Sequence, residues 1–355
     1  MGTIGKRARL RVGMLPLADA VPLLVARDLG FFAHHGLDVK LTLEVSWAAM
    51  RDKLAAGMLD AAQLLAPMPL AANLRADRLG VPMEAALVLS RNGNSITVSN
   101  ELFLAMGSPG PDPVETGQAL WRVIEADRVA GRPRRVFAHT FPFSSHHYLL
   151  RDWLDAAGID PERDVQLVVI PPPLMLEQLR GGRVDGYCVG APWGMAAEIE
   201  GVGHRLLPTH RLRAGCAEKV LGTTRDWATL NPHSNLSLIA ALIEAGRWLD
   251  EPGNRVQAAQ MLIDSRLISA PDETLFHALT DLGDDPHGPR FIFGADDHAR
   301  PRHEDARWFL SQMRRWDQVS GAIDVDALVD STYRLRLHGQ AQAIAGASST
   351  ENVAR

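Results

Sequence analysis

Apolar and polar residues alternate from the start of the chain. Leu10, Val12 and Met14 are spaced by Arg9, Arg11 and Gly13, and this period of two predicts a strand. Residues 22–29 read as a short helix ended by Gly30, with Phe31-Phe32 packing beneath it. Gly36 then turns the chain into residues 39–45, where Val39, Leu41, Leu43 and Val45 restore the alternation. A strand, a helix and a parallel strand in this order indicate an α/β domain.

The next pattern is an internal repeat. Met50, Leu54, Gly57 and Asp60 recur in the same relative positions as Met175, Leu179, Gly182 and Asp185. Each copy reads as a short helix, a glycine C-cap and an aspartate that starts a strand. Two copies so far apart do not make a solenoid. They fit two related α/β lobes, or a common helix-to-strand turn met twice. Residues 81–89 form another apolar strand, followed by the Asn-Gly turn at Asn92-Gly93, and residues 107–113 form a Gly/Pro loop.

From about 114 to 205 the pattern is a βαβ series: helix 117–130, strand 135–138, helix 146–157, strand 165–170, helix 174–180 with Pro173 at its first position, and strand 186–189. From Lys219 onward the chain reads as helical, with periodic segments at 237–249, 255–263, 304–316 and 325–333. A long ordered loop is expected at 282–302, and a mobile tail without a firm pattern after His338. The domain reading is one lobe from residues 1–98 and 206–338, a second from 99–205, and a tail at 339–355.

One stretch organises these elements. Residues 139–154 run from a buried strand into an amphipathic helix marked by Leu150, Trp153, Leu154 and Ala157, with Ser144 or Ser145 available as N-cap. Such a turn aims backbone N–H groups and the positive end of a helix dipole at one point, which suits a small anion. His146 adds a side-chain donor. The same residues serve equally as a plain helix cap.

Composition narrows the function. A length of 355 residues allows two domains, and 46% hydrophobic with 22% charged residues is ordinary for a soluble globular chain. The net charge of −5 argues against nucleic acid as a direct ligand. Cys188 and Cys216 show neither metal-ligand spacing nor a disulfide framework and read as buried thiols, which fits a cytosolic protein. Residues 12–26 imitate a secretory leader, with Ala18-Asp19-Ala20 as a pseudo cleavage site. Pro16, Asp19 and Pro22 interrupt the run, and its removal would delete the first strand, so no cleaved signal and no membrane insertion are expected.

Four further residues gather meaning together. Trp47 stands at a strand end before a helix, Asn94 in a loop, His146 at the helix start and Lys219 in Glu-Lys-Val-Leu-Gly-Thr-Thr. Taken singly, each also reads as core, turn former, cap or solvated lysine. Together with residues 141–146, 219–222 and the Trp-Phe-Leu-Ser-Gln-Met-Arg-Arg-Trp run at 308–316, they resemble the nitrate/bicarbonate-binding (NrtA/CmpA-like) proteins of ABC transporters. The resemblance covers nearly the whole chain. It is closer still to their cytosolic relatives, the NasS-type nitrate sensors.

The resemblance implies a type II periplasmic-binding-protein fold with a ligand cleft between two α/β lobes, and no cofactor. It implies nitrate or nitrite as ligand, contacted by Trp47, Asn94, His146 and Lys219, with Asn94 standing where the transporter proteins usually carry Gln. Bicarbonate binders place an acid near the lysine position, so Lys219 points to nitrate. The resemblance further implies a cytoplasmic sensor whose partner is an RNA-binding antiterminator of the response-regulator (NasT-like) type, released when the anion arrives.

The chemistry agrees with that implication. Nitrate is a planar monovalent anion that one cation and several neutral donors can compensate, whereas an arginine fork suits carboxylate or phosphate. Three rivals remain. A transporter's extracytoplasmic binding protein would share every ligand residue. An enzyme like the thiamine-pyrimidine synthases of this fold would need an activated Cys or sacrificial His. A metal site would draw on His139, His146 and His147, or on His34 and His35, but adjacent histidines diverge.

Overall fold

The computed structural model describes residues 7–251, 253–281 and 285–352. Its strands are β1 (Ala8–Met14), β2 (Leu37–Leu43), β3 (Ala61–Leu65), β4 (Met83–Arg91), β5 (Asn94–Ser99), β6 (Arg135–His139), β7 (Val165–Val169), β8 (Gly186–Gly190), β9 (Gly203–Pro208) and β10 (Ala217–Thr224). They form two sheets, ordered β2-β1-β3-β10-β4 and β7-β6-β8-β5-β9. In each sheet three strands pair in parallel, as helical crossovers require, and one further strand enters antiparallel between neighbours. The chain is therefore α/β, in two lobes of matching plan.

The repeated unit builds both sheets in the same way. Helix Trp47–Ala55 leads through Gly57, at φ +70°, into β3, and helix Met175–Arg180 leads through Gly182, at φ +63°, into β8. The two aspartates do the same job. Asp60 accepts from the Arg11 backbone N–H at 2.7 Å and from its guanidinium at 3.0 Å. Asp185 accepts from the Val136 backbone N–H at 2.8 Å and from the Arg135 guanidinium at 2.7 Å. Each carboxylate thus ties the incoming strand to the central strand beside it.

Several sequence expectations are corrected. Lys219 does not open the helical region but lies on β10, between β3 and β4. Seven of the eight β10 residues are buried, and a strand covered on both faces shows no alternation to read. β9 carries no readable alternation either, its Gly-His-Arg start being half polar. Because β5 and β9 pair with each other, the crossings between sheets fall before Asn94 and after Pro208, outside the boundaries at 98 and 206.

The helix expected at 117–130 begins at Pro113 under an Asp112 cap. Gly117 sits inside it, where an added Cβ would come within 2.8 Å of the Ala157 Cβ, so the glycine permits close helix packing. β2 stops at Leu43, leaving Val45 76% exposed. The tail is a helix, Leu335–Asn352, whose buried Ala341 and Ala345 give too small an apolar signal to read. In the 282–302 loop, residues 282–284 lie outside the described residues. Beyond them Ile292 bridges Arg91 and Phe293 is buried.

The apolar run at 12–26 is structural: β1 pairs with both β2 and β3, and helix Val21–Asp28 buries six residues. Among the described residues no helix is long and apolar enough to cross a membrane.

The C-terminal region holds the lobes together behind the site. Helix His303–Arg315 lies against helix Ser145–Ala156. Gln312 donates to Asp152 at 2.8 Å, and Arg315 pairs with Asp152 and Asp155 at 2.8 and 2.5 Å. Tyr148 donates to Gln318 at 2.7 Å, and Gln318 in turn donates to the Pro142 carbonyl at 3.0 Å. The tryptophan-bounded 308–316 run therefore braces the helix that carries His146.

Candidate functional site

The site forms where five chain segments from both lobes meet. Ser144, not Ser145, caps helix Ser145–Ala156, its hydroxyl accepting from the His147 N–H at 3.0 Å. That choice frees Ser145 to turn its hydroxyl directly onto Glu218. His146, one residue further, is fully buried. Thr140 faces its Nδ1 at 3.2 Å, and its Nε2 stands 3.4 Å from Glu218 Oε1. A carboxylate facing Nε2 places the ring proton there, with the Thr140 hydroxyl donating to Nδ1.

Lys219 comes from the other lobe's sheet. Neighbours on a strand ordinarily point to opposite faces, but β10 bulges against β4 between Ala217 and Lys219. The extra residue is Glu218, and the bulge lets both side chains reach one spot. Lys219 Nζ is 2.7 Å from Glu218 Oε1 and 2.7 Å from Asp19 Oδ2. Asn94, at the start of β5, donates to Glu218 Oε2 at 2.7 Å and approaches the Ser145 hydroxyl at 3.2 Å. Trp47, first in its helix after the Ser46 cap, lays its ring 5.4 Å from the ammonium.

Of the four residues singled out from the sequence, Asn94, His146 and Lys219 are thus gathered around the Glu218 carboxylate, with Trp47 against the Lys219 ammonium. Three buried polar atoms among them make no hydrogen bond among the described residues: Trp47 Nε1, Asn94 Oδ1 and His146 Nε2, which stands off Glu218 at 3.4 Å. Orphaned buried polar groups are costly, and their convergence marks a place built for something polar.

The electrostatics differ from the expected single cation among neutral donors. Asp19 and Glu218 are both buried with Lys219. Burial lowers the His146 pKa to about 4, Glu218 opposing and Lys219 assisting, so the imidazole is neutral. Burial also raises the Asp19 carboxyl, which the ammonium only partly counters. Burial pushes Glu218 up as well, but the facing His146 and Lys219 and the Lys219 and Ser145 donors leave it below its ordinary value. Lys219 ends above its ordinary value, because its two carboxylates outweigh its burial. Two carboxylates and one ammonium give the site a formal charge of −1.

Asp19 and Glu218 were not among the expected site residues. The sign for Asp19 was visible as an acid inside an apolar run. Glu218 had no sign, because alternation along a strand turns it away from its neighbour. Behind the site, His147 Nδ1 stands 3.1 Å from His139 Nε2, and His139 Nδ1 faces the Phe141 carbonyl at 3.2 Å, a chain of neutral imidazoles. Among the described residues no three His, Cys, Asp or Glu side chains are placed to hold a metal ion.

The sequence profile of the NMT1-like family matches residues 5–263. The nitrate/nitrite-binding protein NrtA of Synechococcus elongatus is 31% identical over 347 residues, covering 93% of this chain and 76% of that protein. The chain belongs to the NMT1-like family, among its NrtA- and CmpA-type substrate-binding proteins. The bicarbonate transport ATP-binding protein CmpC of the same organism is 36% identical over 316 residues, covering 88% of this chain and 46% of CmpC. The chain thus spans about half the length of the first such relatives. The crystal structure of periplasmic NrtA from Synechocystis PCC 6803 superposes with a TM-score of 0.87 at 28% identity, covering 96% and 89% of the two chains.

The family fold is the periplasmic-binding-protein fold, as the two sheets and the superposition on NrtA indicate. The inference from Lys219 against bicarbonate loses force, because an acid, Glu218, lies beside that lysine.

Proposed function

We propose that the chain binds a small planar oxyanion, nitrate or nitrite, between its lobes. The observation that carries this reading is the convergence of the Lys219 ammonium with two orphaned buried donors, Trp47 Nε1 and His146 Nε2. An ammonium and two neutral N–H groups, walled by an indole face, suit a weakly hydrated anion. Trp47, Asn94, His146 and Lys219 are the contacts. Asn94 acts through its amide and by holding Glu218.

A second reading has its own support. Asp19, Glu218 and Asn94 Oδ1 are acceptors, and an acceptor prefers an anion that carries a proton, such as hydrogen carbonate. CmpC and CmpA, relatives of this chain, are named for bicarbonate. An enzyme is disfavoured: Cys188 and Cys216 are buried, and burial raises both thiols far above neutrality, so neither supplies a nucleophile.

The proposal extends to regulation. The protein acts in the cytoplasm as a sensor, holding an RNA-binding antiterminator of the response-regulator type and releasing it when the anion closes the lobes. One support bears on this: the lobes meet through polar contacts such as Arg315 to Asp152, the kind of interface that opens and closes. Gel filtration of the mixed proteins tests it: the complex forms without nitrate and dissociates when nitrate is added. A complex equally stable in both conditions refutes the sensor role and leaves anion binding standing.

A further inference from the structure

A site of charge −1 that receives an anion faces a repulsion the Lys219 ammonium alone does not cancel, since both its near neighbours are carboxylates at 2.7 Å. We propose that Asp19 takes up a proton as the oxyanion enters, releasing the Lys219 ammonium to the anion. The inference rests on the oxyanion reading of the site. A proton from solvent adds to Asp19 Oδ2, no other bond changes, and the occupied site keeps its charge of −1.

The geometry selects Asp19 over Glu218. Glu218 is held by the ammonium, the Asn94 amide and the Ser145 hydroxyl, all of which stabilise a carboxylate. Asp19 has fewer such partners. Gln63 accepts from the Leu15 N–H at 3.1 Å through Oε1, which orients its Nε2 to donate to Asp19 Oδ1 at 2.9 Å. Oδ2 is then held by the ammonium alone, and it is the oxygen open to a proton.

The surroundings of Oδ2 include a further acceptor. Asn94 Oδ1 is buried and unpartnered, and it lies with Asp19 Oδ2 on one side of Gly190, where an added Cβ would meet them at 3.3 and 3.8 Å. The direction in which burial moves the Asp19 carboxyl agrees.

Other groups on the packed elements do not compete for this proton. His146 is the remaining base in the site, and Cys188 on β8 keeps its thiol proton. On β4, Arg91 is engaged with Asp305 and Glu84 faces Arg334. On helix Asp272–Thr280, Asp272 pairs with Arg266 and His277 faces Glu273. Arg27 and Asp28, at the far end of helix Val21–Asp28, pair with each other.

Calorimetric titration with nitrate, in buffers of different ionisation heat from about pH 6.5 to 8.5, counts the protons bound. Nitrate carries no proton of its own, so any uptake belongs to the protein. The wild-type chain takes up about one proton per nitrate, and affinity falls up to about tenfold per pH unit of rise. In Asp19→Asn, which keeps the size and a carbonyl for Gln63, proton uptake is lost and affinity becomes flat with pH.

Wild-type binding without proton uptake overturns the inference and leaves the functional reading intact. Undiminished uptake in folded Asp19→Asn overturns the assignment to Asp19. The wild-type proton count stands even where the variant fails to fold. No binding of nitrate, nitrite or hydrogen carbonate overturns the functional reading itself.

Discussion

Replacing Lys219 by methionine keeps most of the side chain's volume and removes its charge. Asp19 and Glu218 are then left in a buried pocket without a counter-charge. At 2.7 Å, each ion pair is worth about 6 kcal/mol at an effective dielectric of about 20, before the cost of desolvating the ammonium. That cost offsets several kcal/mol, so the expected net loss is about 3–5 kcal/mol of stability, the range for a buried network deprived of one partner. Denaturant unfolding followed by far-UV circular dichroism measures it. Adding Asp19→Asn to Lys219→Met removes one orphaned charge and recovers part of the loss, the coupling a double-mutant cycle reports. In the folded fraction nitrate affinity falls by about 2–5 kcal/mol, at least thirtyfold. A Lys219→Met protein within about 1 kcal/mol of wild type that also binds nitrate within about threefold would refute the reasoning.

His146→Ala removes one neutral donor and leaves the Thr140 hydroxyl without its partner. Nitrate binding weakens by about 1–3 kcal/mol in calorimetry, and a change below half of that contradicts a direct contact. Trp47→Phe abolishes the fluorescence response to anion while the other tryptophans remain; a persistent response places the anion elsewhere. Stability should fall with acidification just below pH 6.5. His139, His146 and His147 are held neutral by burial, His139 down to about 3 and His146 to about 4. Their folded values lie below the unfolded value of about 6.5, so the unfolded chain binds the protons. Each then costs up to about 1.4 kcal/mol per pH unit as pH falls below 6.5. The raised Asp19, Glu84 and Asp152 carboxyls have the opposite sign, but their window opens nearer the carboxylate range. A melting temperature unchanged between pH 7 and about 5.5 contradicts this.

What the sequence shows of this molecule depends on which signals are local. Strands covered on one face, such as β1, and amphipathic helices such as Ser145–Ala156 carry their period in the chain and were legible. β10 was not, because burial on both faces erases alternation. The helix at Leu335–Asn352 packs through alanines and shows no stripe. At the site, Trp47, Asn94, His146 and Lys219 could be singled out because residue types at strand ends and helix starts carry meaning there. The partnership of Glu218 with Lys219 depends on a bulge, which no residue near it announces. Asp19 joins the site only through a contact 200 residues away in the chain. The pairing of acids with the expected cation is therefore a tertiary fact, and it changes the charge of the site.

The central claim is that a planar oxyanion occupies the space around Lys219, Trp47 and His146. Calorimetric titration of the purified chain with nitrate, nitrite, hydrogen carbonate and sulfate tests it directly. The account predicts saturable nitrate and nitrite binding with dissociation constants on the order of micromolar, about −8 kcal/mol, and much weaker binding of sulfate, whose second charge the site's own carboxylates repel. Sulfate binding as tightly as nitrate, or no saturable heat with any of the four, would contradict it.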